Sequence, residues 1–260
     1  MSLPFINQTA LITGASRGLG RCLAFELFKR GANIIAVARN EAMLERVKDQ
    51  AVEKIENGEQ RWVNVACDVT DENACRKMLA QAIARFQGID MAVFNAGVSL
   101  KKHSYMNYAD IQATFDINFW SVVRWLNELL PVLLKSEQAR MVFISSLGRY
   151  YGIQNSNGYN PSKAALSNFV ECLRADFLAH AIPIRVIHVM PGFIRTEMVR
   201  RHHFLPFVFS AEKAAVRIVN GMEKDRPEIR FPFSMSCVAR IFSLLPARTV
   251  VAITSRLVKE

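Results

Sequence analysis

Thr9-Ala10-Leu11-Ile12-Thr13-Gly14-Ala15-Ser16-Arg17-Gly18-Leu19-Gly20 reads as a short apolar strand that runs straight into a glycine-rich turn. An amphipathic helical pattern follows from Gly18 to Arg30, and Gly31 is placed as its stop. Glycines in such a turn let the chain reverse tightly and let backbone N–H groups approach a pyrophosphate at the positive end of the helix. The spacing is T-G-x-x-x-G-x-G and not G-x-G-x-x-G. On its own it is equally a tight strand-to-helix connection.

Outward from this unit the pattern repeats. Further apolar, β-branched runs lie at Asn33 to Ala38, Trp62 to Ala66, Met91 to Phe94, Met141 to Ser145 and Ile184 to Val189. Helical patterns separate them at Glu41 to Asn57, Asp71 to Phe86, Tyr108 to Lys135 and Ser156 to His180. Strand and helix alternate with no Pro- or Ser-rich linker and no solenoid repeat. This predicts an α/β fold, a Rossmann-type doubly wound parallel sheet with helices on both faces. The expected division is a catalytic nucleotide-binding domain over residues 1–228 and a C-terminal apolar, basic helical extension over 229–260. Beyond about residue 195 the alternation is no longer legible.

Composition bounds the function. The chain has 260 residues, 51% of them apolar, which supports a full core and excludes disorder. Its 33 Lys and Arg against 23 Asp and Glu give +10, a balance suited to an anion such as a phosphorylated cofactor, nucleic acid or an acidic membrane. Cys22, Cys67, Cys75, Cys172 and Cys237 are odd in number and never in C-x-x-C spacing, so a reducing cytoplasm is expected and a zinc site is not. The N-terminus shows no signal peptide, and no run approaches the ~18 apolar residues of a spanning helix. His103, His180, His188, His202 and His203 have no metal spacing. Asp71-Glu72 reads as first-turn helix charge. Without a zinc-finger, RRM or basic-zipper pattern, no nucleic-acid partner is expected.

Three features carry chemistry. The second strand ends in Ala38-Arg39, with Arg where an NAD site normally has an acid; Arg39 suits a 2′-phosphate, with Arg17 facing it, or is a solvated loop charge. Tyr159 and Lys163 stand four apart on one helix face, and Tyr159 alone of the five tyrosines has Lys at that offset. A neighbouring cation favours an ionised phenol, although such pairs also decorate surfaces. Ser146 lies at the end of the fifth strand, where parallel sheets bind ligands, or serves there as a helix cap. G-x-S-x-G is absent, which disfavours a serine hydrolase.

Taken together, these residues resemble the short-chain dehydrogenase/reductase family, over about Thr9 to Thr196. The resemblance rests on the glycine turn, Asp68-Val69, Asn95-Ala96-Gly97, Asn118, Ser146 thirteen residues before Tyr159, the Tyr159/Lys163 pair, Pro191-Gly192 and Thr196. It implies a catalytic tetrad of Asn118, Ser146, Tyr159 and Lys163. It implies NADP(H) held by Thr13, Gly14, Ser16, Arg17, Gly18, Leu19, Gly20, Arg39, Asp68, Val69, Asn95, Ala96, Gly97, Tyr159, Lys163, Pro191, Gly192 and Thr196. Tyr159 would be the general acid, Ser146 the donor to the substrate oxygen, Lys163 the cation that lowers the phenol pKa, and Asn118 the anchor of a relay water.

The expected activity is NADPH-dependent reduction of a hydrophobic, lipid-like ketone such as a 3-keto lipid. Its rivals are NADP-linked oxidation of a steroid or sugar alcohol and NADPH sensing without turnover. Phe204 to Phe209 reads either as a lid over an apolar substrate or as an anchor for a helix, and Arg149, Tyr150 and Tyr151 are candidates to face substrate. From Ile229 to Lys259 five basic residues and no acid accompany apolar stretches at Ile241 to Leu245 and Val250 to Ile253, with Pro246 separating two short helices. A peripheral membrane contact, a subunit contact and a cover on the sheet edge all remain open. A homodimer or homotetramer is expected from the resemblance.

Overall fold

The computed structural model describes residues 3–54, 61–100, 106–196 and 208–257. Its centre is a seven-stranded, all-parallel sheet of β1 (Thr9–Thr13), β2 (Asn33–Ala38), β3 (Trp62–Ala66), β4 (Met91–Phe94), β5 (Arg140–Ile144), β6 (Arg185–Pro191) and β9 (Glu228–Phe231). The order is β3-β2-β1-β4-β5-β6-β9, so the direction of winding reverses between β1 and β4. In an open parallel sheet the crevice beyond the strands' carboxyl ends at that reversal is where ligands bind.

Helices cover both faces, so every residue of β1 and β5 is buried and the strands read as unbroken apolar runs. On one face α1 (Gly18–Lys29) and α7 (Ala211–Glu223) pack through Leu23, Leu27, Ile218 and Met222 onto Ile12, Ile34 and Val189. On the other, α3 (Glu72–Phe86), α5 (Ser121–Leu133) and α6 (Tyr159–Ala179) cover Leu11, Ile35, Phe94 and Phe143. Local chemistry sets the ends. Gly31 takes φ +97 where α1 stops, and the Asp71 carboxylate caps α3 by accepting from Ala74 N at 3.0 Å.

The stretch expected as one helix from Tyr108 to Lys135 is three pieces: α4 (Tyr108–Phe115), a π-helical turn (Asp116–Trp120) and α5. The alternation also continues past residue 195, through α7 and β9. β9 pairs with β6 from His188↔Glu228 to Pro191↔Phe231 and so runs across the division expected at 228/229. The chain beyond the sheet is α8 (Phe233–Leu244) and α9 (Ala247–Leu257), separated at Pro246. α8 packs on the 3-10 turn Leu147–Tyr150, with Leu147, Met190 and Ala239 buried between them.

Among the described residues no helix is long and apolar enough to cross a membrane, and no group of His, Cys, Asp and Glu could hold a metal. His103, His202, His203 and Phe204 to Phe207 lie outside the described residues. Of the apolar run they belong to, Phe209 pairs with Ile194 in a two-stranded sheet of β7 (Ile194–Arg195) and β8 (Phe209–Ser210) and packs on Phe231 at 5.3 Å. That end of the run is anchored to the core.

Candidate active site

Apart from Gly18, Leu19 and Gly20 in the first turn of α1, and Asn118, Tyr159, Lys163 and Thr196, the candidate residues lie on the carboxyl ends of the sheet strands or in the turns that leave them. After β1 the chain turns through Gly14 and Gly18 at φ +69 and +55, a backbone region that side chains disfavour. Gly20 has a different constraint. A Cβ there would stand 2.2 Å from Gly14 O and 2.5 Å from Asn95 Nδ2, so only glycine lets α1 start this close to the turn.

The turn is tied to the loop after β4. Thr13 Oγ1 accepts from the backbone N–H groups of Asn95 and Ala96, both at 3.0 Å, while Asn95 Nδ2 donates to Thr13 O at 3.0 Å and Gly14 O at 3.4 Å. Ala15 N donates to Val37 O at 3.1 Å, linking the turn to β2. Leu19 is buried, Ser16 half-buried and Arg17 exposed. Thr196 approaches from the other side, its methyl 3.3 Å from the position of a Cβ on Gly18.

This cradle fits a dinucleotide's pyrophosphate. The first turn of α1 has no acidic residue, and its N-cap Arg17 makes no side-chain cap bond, so N–H groups and the positive helix end face the turn. At the end of β2, Arg39 is exposed and its Nη1 lies 3.7 Å from Asp68 Oδ2. Asp68 is fixed locally by Thr70 N at 2.9 Å and Thr70 Oγ1 at 2.8 Å. Although burial acts against its charge, these bonds and Arg39 hold its pKa below the usual carboxylate range. Its carbonyl accepts from both the Cys67 and Cys75 thiols at 3.2 Å, and the adjacent Val69 is buried.

The chemical half of the site is centred on α6. Tyr159 is the first residue of α6 and Lys163 lies one turn on, its Nζ 5.9 Å from the phenol ring centroid. Lys163 is 4% exposed, donates to Ile144 O at 2.8 Å, and is pushed by burial to a pKa of about 8. The resemblance implies that Lys163 lowers the phenol pKa. Here burial dominates and raises it, and the opposing effect is a hydrogen bond from Ser146. Ser146 Oγ itself accepts from Gly148 N at 3.0 Å, which leaves its own proton to point toward Tyr159.

Asn118 sits within the π turn and is fully buried. Its Oδ1 accepts from Val98 N at 2.8 Å, and its Nδ2 donates to Val98 O and Ser162 Oγ at 2.9 Å each. Both ends of this amide are therefore committed to protein, and it clamps the loop after β4 to α6. A Cβ on Gly97 would come within 3.3 Å of Asn118 Oδ1 and 3.4 Å of Lys163 Nζ, so the loop passes directly over both.

Other residues belong to the site although sequence reasoning passed over them. Ser162 Oγ donates to Tyr159 O at 2.7 Å, connecting Asn118 to the backbone that carries the phenol. Ser145 and Ser167 both donate to Lys163 O, at 3.1 and 2.7 Å, and lie 2.6 Å apart. His188 Nε2 meets Ser167 Oγ at 3.2 Å, and burial, reinforced by Arg149 and other cations, lowers the imidazole pKa to about 3. This buried set holds the backbone of Lys163 from behind. Only its residue types were visible in the sequence, since Ser and His within apolar runs have no periodic signature.

Following Ser146 in the chain, Leu147, Tyr150 and Tyr151 join Met190 and Met235 in an apolar wall, with Leu147 and Met190 buried within it. Tyr151 stacks obliquely on Phe242 of α8 at 5.1 Å, and Tyr150 OH donates to Met190 Sδ at 3.9 Å. Arg149 differs from its neighbours in that its Nη1 binds Glu171 Oε1 at 2.6 Å, tying its charge to α6. Pro191-Gly192 closes this side, with Gly192 N donating to Phe231 O at 2.7 Å and Met235 Sδ 3.0 Å from where a Cβ on Gly192 would lie.

Comparison with known proteins agrees with this architecture. An uncharacterized oxidoreductase of Myxococcus xanthus is 30% identical over 247 residues, covering 92% of this chain and 93% of that protein. A fatty acyl-CoA reductase of Acinetobacter baylyi is 35% identical over 227 residues, covering 85% and 75%. Among solved structures, a short-chain type dehydrogenase/reductase from Mycobacterium marinum aligns with a TM-score of 0.80 at 25% identity, covering 91% of this chain and 98% of that one. The family model for short chain dehydrogenases matches residues 8–203, a segment that begins just before β1 and encloses the glycine turn, Ser146, Tyr159, Lys163 and Thr196. This chain belongs to the short-chain dehydrogenase family and is an oxidoreductase of it.

Proposed function

We propose that this protein is an NADPH-dependent carbonyl reductase acting on a hydrophobic, lipid-like ketone, and that the same residues oxidise the corresponding secondary alcohol in reverse. The observation that carries the reading is the Ser146–Tyr159 hydroxyl pair, backed by a buried Lys163 and set beside a glycine turn that fits a pyrophosphate.

Bound NADPH would supply the hydride. The chain's own contribution is a proton and a place for charge. Burial holds Tyr159 above the ordinary phenol pKa, so at neutral pH its proton is in place to be given to the carbonyl oxygen. The Ser146 hydroxyl, oriented by Gly148 N–H, donates to that oxygen as negative charge builds on it. Once the phenol has lost its proton, the nearby Lys163 ammonium stabilises the phenolate. Asn118 positions these groups, through Val98 on one side and Ser162 on the other.

Two observations support NADPH over NADH. The position directly after β2 is Arg39 and not an acid. The Arg39–Asp68 pair is 3.7 Å apart, with 67% and 40% of the two side chains exposed. A pair of that kind is worth at most about 1 kcal/mol, so Arg39 can turn from it to a doubly charged 2′-phosphate at little cost. An apolar substrate is supported by the wall of Leu147, Tyr150, Tyr151, Met190 and Met235 and by the likeness to a fatty acyl-CoA reductase. All five cysteines are free, which suits a cytoplasmic protein. The family likeness favours a homodimer or homotetramer.

The test is NADPH consumption by purified protein over a series of ketones graded in chain length, with NADH and Tyr159→Phe as controls. Specificity that rises with chain length and depends on Tyr159 supports the proposal. Turnover confined to small polar ketones removes the lipid substrate, and equal use of NADH removes the cofactor preference.

A further inference from the structure

Helix α8 has two apolar faces, where a helix lying on a soluble protein needs one. Its inner face, Met235, Ala239 and Phe242 at positions i, i+4 and i+7, packs against the 3-10 turn and Tyr151. Its outer face is Phe233, Cys237, Ile241 and Leu244, at i, i+4, i+8 and i+11, with Val238 on the shoulder; all five are exposed, Phe233 by 79% and Leu244 by 84%. A helix apolar all round is expected only where a second nonaqueous surrounding covers it. In α9, Val250 and Thr254 turn inward while Val251 stays 64% exposed, so the open apolar surface continues past Pro246.

The charge beside this surface identifies what covers it. Arg240 lies within the outer stripe at i+7, Arg248 is exposed at the start of α9, and the sequence from Ile229 to Lys259 contains no Asp or Glu. Two copies joined by this face would bring like charges together with no acid to offset them. An anionic bilayer has the opposite character: arginine stems can lie along the apolar stripe while their guanidinium groups reach lipid phosphates, and Phe233, Ile241 and Leu244 enter the acyl boundary.

We infer that the outer face of α8, with the first turn of α9, is a docking surface for an anionic lipid bilayer. The inner face of the same helix forms part of the substrate wall, so docking brings that wall to the membrane. This last step rests on the proposed reduction of a lipid-like ketone, whereas the docking itself does not.

The experiment is flotation of the full-length protein with phosphatidylcholine vesicles that contain phosphatidylglycerol, against phosphatidylcholine alone, at low and at about 0.5 M salt. Binding to the anionic vesicles is expected at low salt, falling about tenfold without phosphatidylglycerol or at high salt. Ile241→Asp with Leu244→Asp, and separately Arg240→Glu with Arg248→Glu, should each lower it by about tenfold or more, with unchanged circular dichroism and unchanged turnover of a soluble short-chain ketone. Failure of the unaltered protein to float, or equal flotation of the aspartate variant, overturns the inference. So does light scattering in which the aspartate variant falls to a smaller oligomer while the unaltered protein binds no vesicles, since a second copy then covers the face. Flotation without ketone turnover strikes the reductase reading alone.

Discussion

Around the glycine turn, four hydrogen bonds of 3.0 to 3.4 Å join Thr13 and Gly14 to Asn95 and Ala96. Beyond Ser146, the wall of Leu147, Tyr150, Tyr151 and Met190 is held chiefly by apolar contact with Met235 and Ala239 of α8. The first half is backbone geometry, fixed within a few residues of each strand end. The second is assembled from three segments, about residues 147–151, 190–192 and 235–242, that meet only in the folded chain. On the proposed reading, directional bonds suit a half that must hold a cofactor in one position. Contact alone suits a half that selects by shape and can be repacked without disturbing the chemistry.

Four experiments break or sharpen this contrast. Tyr159→Phe removes the proton donor and leaves the cradle intact, so turnover should fall by about 100-fold or more, while calorimetric affinity for NADPH stays within a few-fold. Near-normal turnover would take the general-acid role from Tyr159. Arg39→Asp should shift the ratio of NADPH to NADH efficiency by about 10- to 100-fold, the range of one or two charge-assisted bonds; an unmoved ratio places the 2′-phosphate elsewhere.

The buried support of Lys163 predicts a pH effect on stability. His188 has a folded pKa of about 3 against an ordinary 6.5, so below pH 6.5 the unfolded chain takes up a proton that the folded chain refuses. Its contribution is fully present above pH 6.5 and is lost as the pH falls toward about 3. Between pH 6.5 and 5, urea unfolding should therefore show the protein losing about 1 kcal/mol per pH unit relative to His188→Gln. Parallel curves would mean that His188 is solvated in the native state. The smallest effect is expected on the contact-built half: Phe242→Ala should raise KM for long-chain ketones by several-fold, with kcat for a short soluble ketone unchanged. A fall in kcat on both would show that α8 also positions the catalytic hydroxyls.

The same contrast explains what was legible in the sequence. The strands at Asn33–Ala38 and Met91–Phe94 have the expected bounds because strands covered on both faces are nearly continuous apolar runs, and the edge strand Trp62–Ala66 was still marked by Trp62, Val63 and Val65. The glycine turn and the Tyr159/Lys163 pair were visible because local spacing alone defines them. β9 was hidden because an edge strand of four residues alternates Glu228, Ile229, Arg230 and Phe231, with only the apolar pair buried. Arg149 was grouped with its tyrosine neighbours, since nothing in the sequence shows that Glu171, 22 residues on, takes its charge. The network of Ser145, Ser167 and His188 joins a strand end, a helix and another strand. No one-dimensional pattern connects them.

The π turn at Asp116–Trp120 makes tolerance to substitution and tolerance to deletion two separate properties of this chain. A π turn contains one residue more than the α turn it replaces, so losing any one of its five residues would restore a regular helix with its backbone bonds intact. The flanking helices α4 and α5 would keep nearly their present orientation, since a wide turn of five residues and an α turn of four sweep about the same angle, and the change would fall on the residues inside the turn. Asn118 would swing off Val98 and Ser162, and the clamp between the loop after β4 and α6 would open. Such a deletion would leave the long helix as stable as before and silence the enzyme, so a screen for folded protein would pass it and a screen for turnover would not. In this helix the reading frame of the backbone carries information that no single side chain does.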